Sequence, residues 1–274
     1  MRLPPSAQEI RSRLGASWPV FGAVDSHAHV LEDGFPFAAQ RDRPPSFYPL
    51  EYYLGWIQAL SIPRCVQVTA SCYGFDNSVT RYAIEECRMS GVAARGVAII
   101  PPDIEEAELA ALAGSGFVAA RLIASRVANF GTRDFDELAR RCARWRWHIE
   151  VNVDRCEDWL ELEPRLAGSP VPVVFEHLGL GAGDGPESGG VRAVLRLLER
   201  RTDFAVKLRL PDVAAVLDVL VRRHPDRLMW GSSNPQEDAA DDDLGLMAHA
   251  LEHLPDPALR ERVFARNAES FYGF

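Results

Sequence analysis

With 274 residues, 47% of them hydrophobic and 25% charged, the chain has the balance of a soluble globular protein with a sizeable core, which excludes intrinsic disorder. A formal net charge of −9 at pH 7 argues against a surface built to neutralise nucleic-acid phosphates or anionic lipid and leaves diffusible small molecules as better partners. Cys65, Cys72, Cys87, Cys142 and Cys156 form an odd set without CxxC or CxxxC spacing, so neither a disulfide framework nor a zinc ribbon is indicated and a reducing cytoplasm fits.

MRLPPSAQEI lacks the apolar run of a signal peptide, and no stretch approaches the roughly 18 apolar residues of a membrane span. Eight short apolar, β-rich runs then follow in order: FGAVDSHAH, RCVQVTA, RGVAII, FVAARLI, WHIEVNV, VPVVFEH, FAVKL and RLMWGS. Between most of them lie segments of helical period, among them LEYYLGWIQAL, IEEAELAALAG, FDELARRCARWR, VRAVLRLLERR and VAAVLDVLVRRH, with leucine or alanine at three- and four-residue spacing. This alternation predicts an α/β fold, a (β/α)8 TIM-type barrel, with a doubly wound sheet as the main competitor. No low-complexity linker divides the chain, so residues 1–274 are expected to form one barrel domain. LEDGFPFAAQRDRPPSFYP after the first strand and LGLGAGDGPESGG after the sixth read as long loops over the barrel mouth, and Phe35, Phe37, Phe47 and Tyr48 suit either a lid or the core.

Side chains alternate along a strand, so Asp25, His27 and His29 are expected to point the same way, with both imidazoles at the C-terminal end, the working face of a barrel. His177 closes VVFEH at another strand end. Three imidazoles converging on one mouth would suit zinc, which takes nitrogen ligands and keeps an open position for water. Arg121, Lys207 and Arg209 lie near strand ends, where a buried cation needs a partner. That partner is either an anionic ligand, for which the planar guanidinium fork fits a carboxylate, or a buried Glu150, Glu176 or Asp25. On the fifth strand His148, Glu150 and Asn152 share one face, expected to line the interior. In SCYGFDN, Ser71 reads as a hydrogen-bond donor to a ligand rather than a nucleophile, and Cys72 as structural.

Together these segments resemble the amidohydrolase superfamily, in particular its 2-pyrone-4,6-dicarboxylate lactonase-like branch, over nearly the whole chain. VDSHAHV resembles the HxH of the first strand, SCYGFDN the second-strand loop, GFVAARLI the arginine-bearing fourth strand, VFEHLG the histidine strand, HPDRLMWGSSNP the eighth strand and RNAESFYGF the end of the chain. The resemblance implies a (β/α)8 barrel in which His27, His29 and His177 surround a scissile carbonyl, Arg121 binds a substrate carboxylate and Ser71 adds a hydrogen bond. Tyr48, Arg126 and Arg209 match as further substrate contacts. The branch includes metal-independent lactonases, and related members bind a divalent metal. No cofactor is therefore expected; the alternative is one divalent ion such as zinc on His27, His29 and His177.

The chain departs from the pattern on the eighth strand. Where the family reads Trp-Gly-Thr-Asp-Trp-Pro-His, this chain reads Trp230-Gly231-Ser232-Ser233-Asn234-Pro235-Gln236. Ser233 stands where an aspartate would activate water, and a serine hydroxyl cannot serve as that base at neutral pH. Either Glu150 or a neutral histidine substitutes and a lactone or pyrone-type ester is hydrolysed, or the pocket runs a reaction without activated water, or it only binds a ligand. The expectation is a cytoplasmic bacterial hydrolase acting on a small cyclic carboxylate, with Ser71 or Asn234 orienting the ring and Ser233 among the substrate contacts. An assembly of identical chains is left open.

Overall fold

The computed structural model describes residues 3–39, 47–124, 134–209, 214–235 and 242–274. Eight parallel strands form one sheet in sequential order, β1 (Val24–Ala28), β2 (Arg64–Val68), β3 (Ala93–Ala98), β4 (Phe117–Ala124), β5 (His148–Val153), β6 (Val173–Glu176), β7 (Ala205–Leu208) and β8 (Leu228–Trp230). All eight coincide with the expected runs, because β-branched residues favour the pleated backbone and strands buried on both faces are continuously apolar. The ring closes just beyond β8, where Ser233 N–H donates to His27 O (2.7 Å) and His29 N–H donates to Asn234 O (2.8 Å). This is the (β/α)8 barrel.

Helix α1 (Ala7–Leu14) precedes the barrel, its start fixed by a capping box in which Ser6 and Glu9 satisfy each other's backbone N–H groups. The outer layer continues with α2 (Leu50–Ala59), α3 (Ser78–Met89), α4 (Glu106–Ser115), α5 (Phe135–Trp145), α6 (Asp158–Ala167), α7 (Gly189–Arg200) and α8 (Ala214–Arg223). After β8 come α9 (Asp243–Glu252), α10 (Pro257–Glu261) and α11 (Asn267–Tyr272). No helix among the described residues is long and apolar enough to cross a membrane.

Two cores sit on the two sides of the strands. The outer one, between strands and helices, holds Ile149, Val151, Val153, Phe175, Val206 and Leu208; the inner one holds Val24, Val66, Val68, Val97, Ala119, Val174, Ala205 and Met229 and is closed by Ala268 and Tyr272 of α11. Alternation then fixes what lies one layer above the inner core: Arg121, Glu150, Glu176 and Lys207 follow two residues after Ala119, His148, Val174 and Ala205, and all four side chains are buried.

The first strand breaks the expected alternation. Asp25 pairs with Cys65 and Ala28 with Gln67, so three steps along β1 match two along β2, the signature of a bulge. With Val24 in the inner core, the bulge turns Asp25 toward α2, where its carboxylate accepts from Tyr53 Oη (3.1 Å) and from Ser232 N (2.8 Å) and Oγ (2.8 Å), while His27 is turned in toward β6 and β7. Asp25 and His27 therefore do not share a face. Asp25 is a clasp between β1, β8 and α2.

Candidate active site

His27 is the hub of the site. Its ring lies edge-on to His29 and to His177, with centroids 4.8 and 4.7 Å away, so the three imidazoles expected from the sequence do come together. Their tautomers follow from what they touch. His29 Nδ1 is 2.7 Å from the carbonyl oxygen of Val68, which only accepts, so Nδ1 carries the proton and Nε2 is bare. His27 Nε2 lies 3.2 Å from that bare nitrogen and must donate to it. Neutral His27 therefore has a bare Nδ1, facing the Lys207 ammonium at 3.5 Å and Glu176 Oε1 at 3.7 Å.

Beneath the imidazoles two cation–carboxylate pairs cross the barrel. Arg121 places Nε and one terminal nitrogen on Glu176 Oε2, both at 2.9 Å, and donates to Thr69 O at 3.1 Å. Lys207 Nζ is 2.5 Å from Glu150 Oε2, and Glu150 Oε1 accepts from Tyr272 Oη at 2.5 Å and meets His148 Nε2 at 3.1 Å. The buried carboxylates the sequence offered as partners do pair with these cations, Glu176 with Arg121 and Glu150 with Lys207. Burial pushes Glu150 up, but Lys207 and His148 outweigh it and hold the carboxyl below its usual range. Burial, opposed by Arg121 and reinforced by the charge of Glu150, leaves Glu176 pushed up to about 7. Among the described residues its Oε1 is buried without a partner.

The imidazoles are kept neutral. Burial and then Lys207 hold His27 well below the usual histidine range; burial and Arg121 lower His29 to about 3; burial, then Arg209 and Arg121, lower His177. Arg209, just past β7, is thus close enough to act on both His29 and His177.

On the other side of His177, Ser233 Oγ lies 3.3 Å from its Nε2, and His177 Nδ1 is buried without a partner among the described residues. Both residues have left-handed backbones, φ +59° at His177 and +53° at Ser233. Asn234 is buried, and its Nδ2 also lacks a partner among the described residues. Gly231 is required where it is: a Cβ there would sit 2.6 Å from His27 Cβ and 2.8 Å from His27 N.

The remaining expected contacts are more dispersed. Ser71 is exposed, opening a short 3-10 turn, Ser71–Tyr73, at the end of β2. Tyr48 is buried with its hydroxyl on Asp243 (3.2 Å), so it braces the mouth rather than facing it. Phe35 packs on Tyr82 and Phe37 on Tyr73, tying the first loop to the second, while Phe47 is exposed. Arg126 and Gln236 lie outside the described residues. Glu150, the carboxylate expected to replace the missing aspartate, is one layer down, its oxygens held by Lys207, Tyr272 and His148; Glu176 is the carboxylate beside the imidazoles. Sequence reasoning missed Tyr272, whose only signal was its place in the RNAESFYGF ending, and, while it offered Glu150 as one partner of Lys207, it did not place Lys207 beside His27.

One nitrogen pair, His27 Nε2 and His29 Nε2, has a spacing suited to an edge of a tetrahedral metal site, and His27, Glu176 and His177 bring one ligand atom each within 4.8 Å of one another. Against this stand the ammonium 3.5 Å from His27 Nδ1 and the commitment of Glu176 Oε2 to Arg121.

A parallel barrel that gathers imidazoles, guanidinium groups and a hydroxyl at the C-terminal ends of its strands belongs to the class of barrel enzymes that work on small polar molecules at that rim. The profile described as amidohydrolase matches residues 24–274, and the chain belongs to that family. It is 29% identical to 2-pyrone-4,6-dicarboxylate hydrolase of Comamonas testosteroni, over 92% of this chain and 90% of that protein. It is 28% identical to D-galactarolactone isomerase of Agrobacterium fabrum, over 92% of this chain and 91% of that one. The crystal structure of an Agrobacterium tumefaciens protein in apo form superposes with a TM-score of 0.81 at 27% identity, over 92% of this chain and 96% of that chain.

Proposed function

We propose that this amidohydrolase-family enzyme hydrolyses the ring ester of a small cyclic lactone or pyrone carrying at least one carboxylate. The observation that carries the reading is the convergence of His27, His29 and His177 at one rim, with Arg209 beside two of them and Arg121 directly below. The Comamonas relative, named for hydrolysis of a pyrone dicarboxylate, and the Agrobacterium relative, named for isomerisation of a lactone, support the same substrate class.

In this reading Arg209 offers the substrate carboxylate a cation, with the charge of Arg121, held by Glu176 and Thr69 O, acting from the layer below, and the imidazole pair of His27 and His29 supplies fixed dipoles where negative charge develops on the carbonyl oxygen. The buried rim lowers the local dielectric and strengthens both effects. The proton of the attacking oxygen passes to neutral His177, while Glu150 stays a structural anion under Lys207. This reading uses no metal: a divalent ion at these nitrogens would sit beside the Lys207 ammonium, and the nearby carboxylate, Glu176, already has its other oxygen on Arg121. The five cysteines, all free thiols, accord with a cytoplasmic setting.

One feature favours isomerisation as a second reading. The Glu176 carboxyl, near neutrality in its proton affinity and 3.7 Å from bare His27 Nδ1, makes an acid–base couple that needs no water. Incubating the enzyme with 2-pyrone-4,6-dicarboxylate and with muconolactone carboxylates, and following ring opening by absorbance and product mass, separates the two. Uptake of one water per turnover is expected. An unchanged mass with a moved ring bond would replace hydrolysis by isomerisation, and full turnover in a His27→Ala, His29→Ala double variant would remove the site.

A further inference from the structure

We propose that Ser233 is a catalytic nucleophile activated by His177, so that ring opening passes through an ester on Ser233 Oγ. The natural substrate class rests on the lactone reading above; what is added is that a side chain, not water, makes the first attack.

The geometry is that of a nucleophile and its base. Ser233 Oγ is 3.3 Å from His177 Nε2, within the slightly long range usual before a substrate is bound, and the Ser233 backbone is pinned by its N–H on His27 O at 2.7 Å. Left-handed backbone marks both partners. Among the described non-glycine residues, positive φ occurs at Ser61, Arg146, His177, Leu178 and Ser233. Ser61 and Arg146 end helices, where that conformation is common. The other three stand at the ends of β6 and β8. Two successive three-residue turns, Leu178 N–H to Glu176 O and Gly179 N–H to His177 O, both 2.8 Å, hold His177 in this posture. A strained strand-to-loop corner persists only where its surroundings force it, and such corners are a known way of presenting a nucleophilic serine above a sheet.

The charge state also suits. Burial, Arg209 and Arg121 keep His177 as the unprotonated imidazole that a base must be. On the resemblance read from the sequence, this serine stands at the position of the water-activating aspartate, so the loss of one attacking system and the gain of another would be one substitution.

The steps balance. Ser233 Oγ forms a bond to the lactone carbonyl carbon, its proton moves to His177 Nε2, and the ring C–O bond breaks as that proton passes to the departing ring oxygen. The adduct keeps every atom of the lactone. Water then adds to the ester carbonyl, gives its proton to Nε2, and Ser233 leaves and recovers a proton, so that the sum is lactone plus water giving the hydroxy acid.

The full-length enzyme is treated with 4-nitrophenyl acetate and, separately, with an alkyl fluorophosphonate, and the modified residue is located by peptide mass spectrometry. A burst of one 4-nitrophenolate per chain and a label on Ser233 are expected, with labelling at least 100-fold slower in His177→Gln and absent in Ser233→Ala. The wild-type label site decides the question even if a variant fails to fold. A label elsewhere, no label, or equal labelling of Ser233→Ala overturns the proposal, as does undiminished lactone turnover in folded Ser233→Ala. A labelled Ser233 in an enzyme that leaves pyrone and muconolactone carboxylates untouched would sink the lactone reading and keep the nucleophile; turnover of those lactones with no trapped ester would do the reverse.

Discussion

Replacing Lys207 by methionine removes a fully buried ammonium while keeping most of its stem, and leaves Glu150, also fully buried, without the cation 2.5 Å from its Oε2. Tyr272 and His148 remain on Oε1, but both are neutral donors. Taking one partner from a buried ion pair costs about 3–5 kcal/mol, because the surviving charge stays in a low dielectric. The second change, Glu150→Gln, removes that charge while its amide oxygen still accepts from Tyr272 and His148. The double variant is therefore expected within about 2 kcal/mol of the wild type, giving a coupling energy of at least about 2 kcal/mol. Urea unfolding of the four proteins at pH 7, followed by tryptophan fluorescence and circular dichroism together, measures it. A loss below about 1 kcal/mol in Lys207→Met, or additive single variants, would refute the view that the pair is a buried, mutually dependent unit.

Asp25 has its carboxyl raised to about 6 by burial, against donors from Ser232, His27 and Tyr53. Its folded pKa then exceeds the unfolded value of about 3.9, so the folded state holds the extra proton and the contribution of Asp25 to stability falls as pH rises from about 4 to 6, by up to about 3 kcal/mol; relative to the wild type, Asp25→Asn is expected to make stability fall less, or rise more, across that window, and an unchanged slope would contradict it. Gly231→Ala forces a Cβ to 2.6 Å from His27 Cβ; a cost of about 1–3 kcal/mol from overpacking and a fall in kcat of tenfold or more are expected, the first by urea unfolding and the second by lactone turnover. Dialysis against EDTA is expected to leave turnover unchanged, and a loss restored by zinc would bring the metal back.

The strands were legible because inner and outer cores make each an apolar run, and the imidazole cluster because HxH and VFEH each end a strand. The register of β1 was not: a bulge inserts one residue without changing composition, so the sequence still reads as simple alternation across Asp25 and His27. Helix α6 is not legible in the same way because an internal proline, Pro164, reads as a breaker and only Trp159, Leu162 and Leu166 mark its buried face. The crossed pairs Arg121–Glu176 and Lys207–Glu150 could be suspected from cations at strand ends but not matched, since partner choice depends on the stagger of strands around the barrel. The role of Tyr272 was out of reach: the residue belongs to a terminal helix, and only folding carries its hydroxyl through the barrel floor to Glu150.

The cations that hold His29 and His177 neutral also bear on how the enzyme responds to substrate. Arg121 and Arg209 both depress His29 and His177, and a carboxylate-bearing lactone would bring negative charge to that side of the site. One unit charge about 8 Å from an imidazole, at an effective dielectric of about 20, is worth about 2 kcal/mol, or on the order of 1.5 pKa units. The anion therefore raises the proton affinity of the base as it binds. A raised histidine pKa moves loss of the unprotonated base to higher pH, so the acidic limb of kcat, which reports the bound complex, is expected about one unit or more above that of kcat/KM, which reports the free enzyme. Profiles carried downward as far as the enzyme stays folded and the substrate carboxylate ionised, so that the limb of the free enzyme is reached, test this, with a neutral lactone of the same ring as control. Coincident limbs for the charged substrate, or the same separation for the neutral one, would show that base strength at this rim is set by the protein alone.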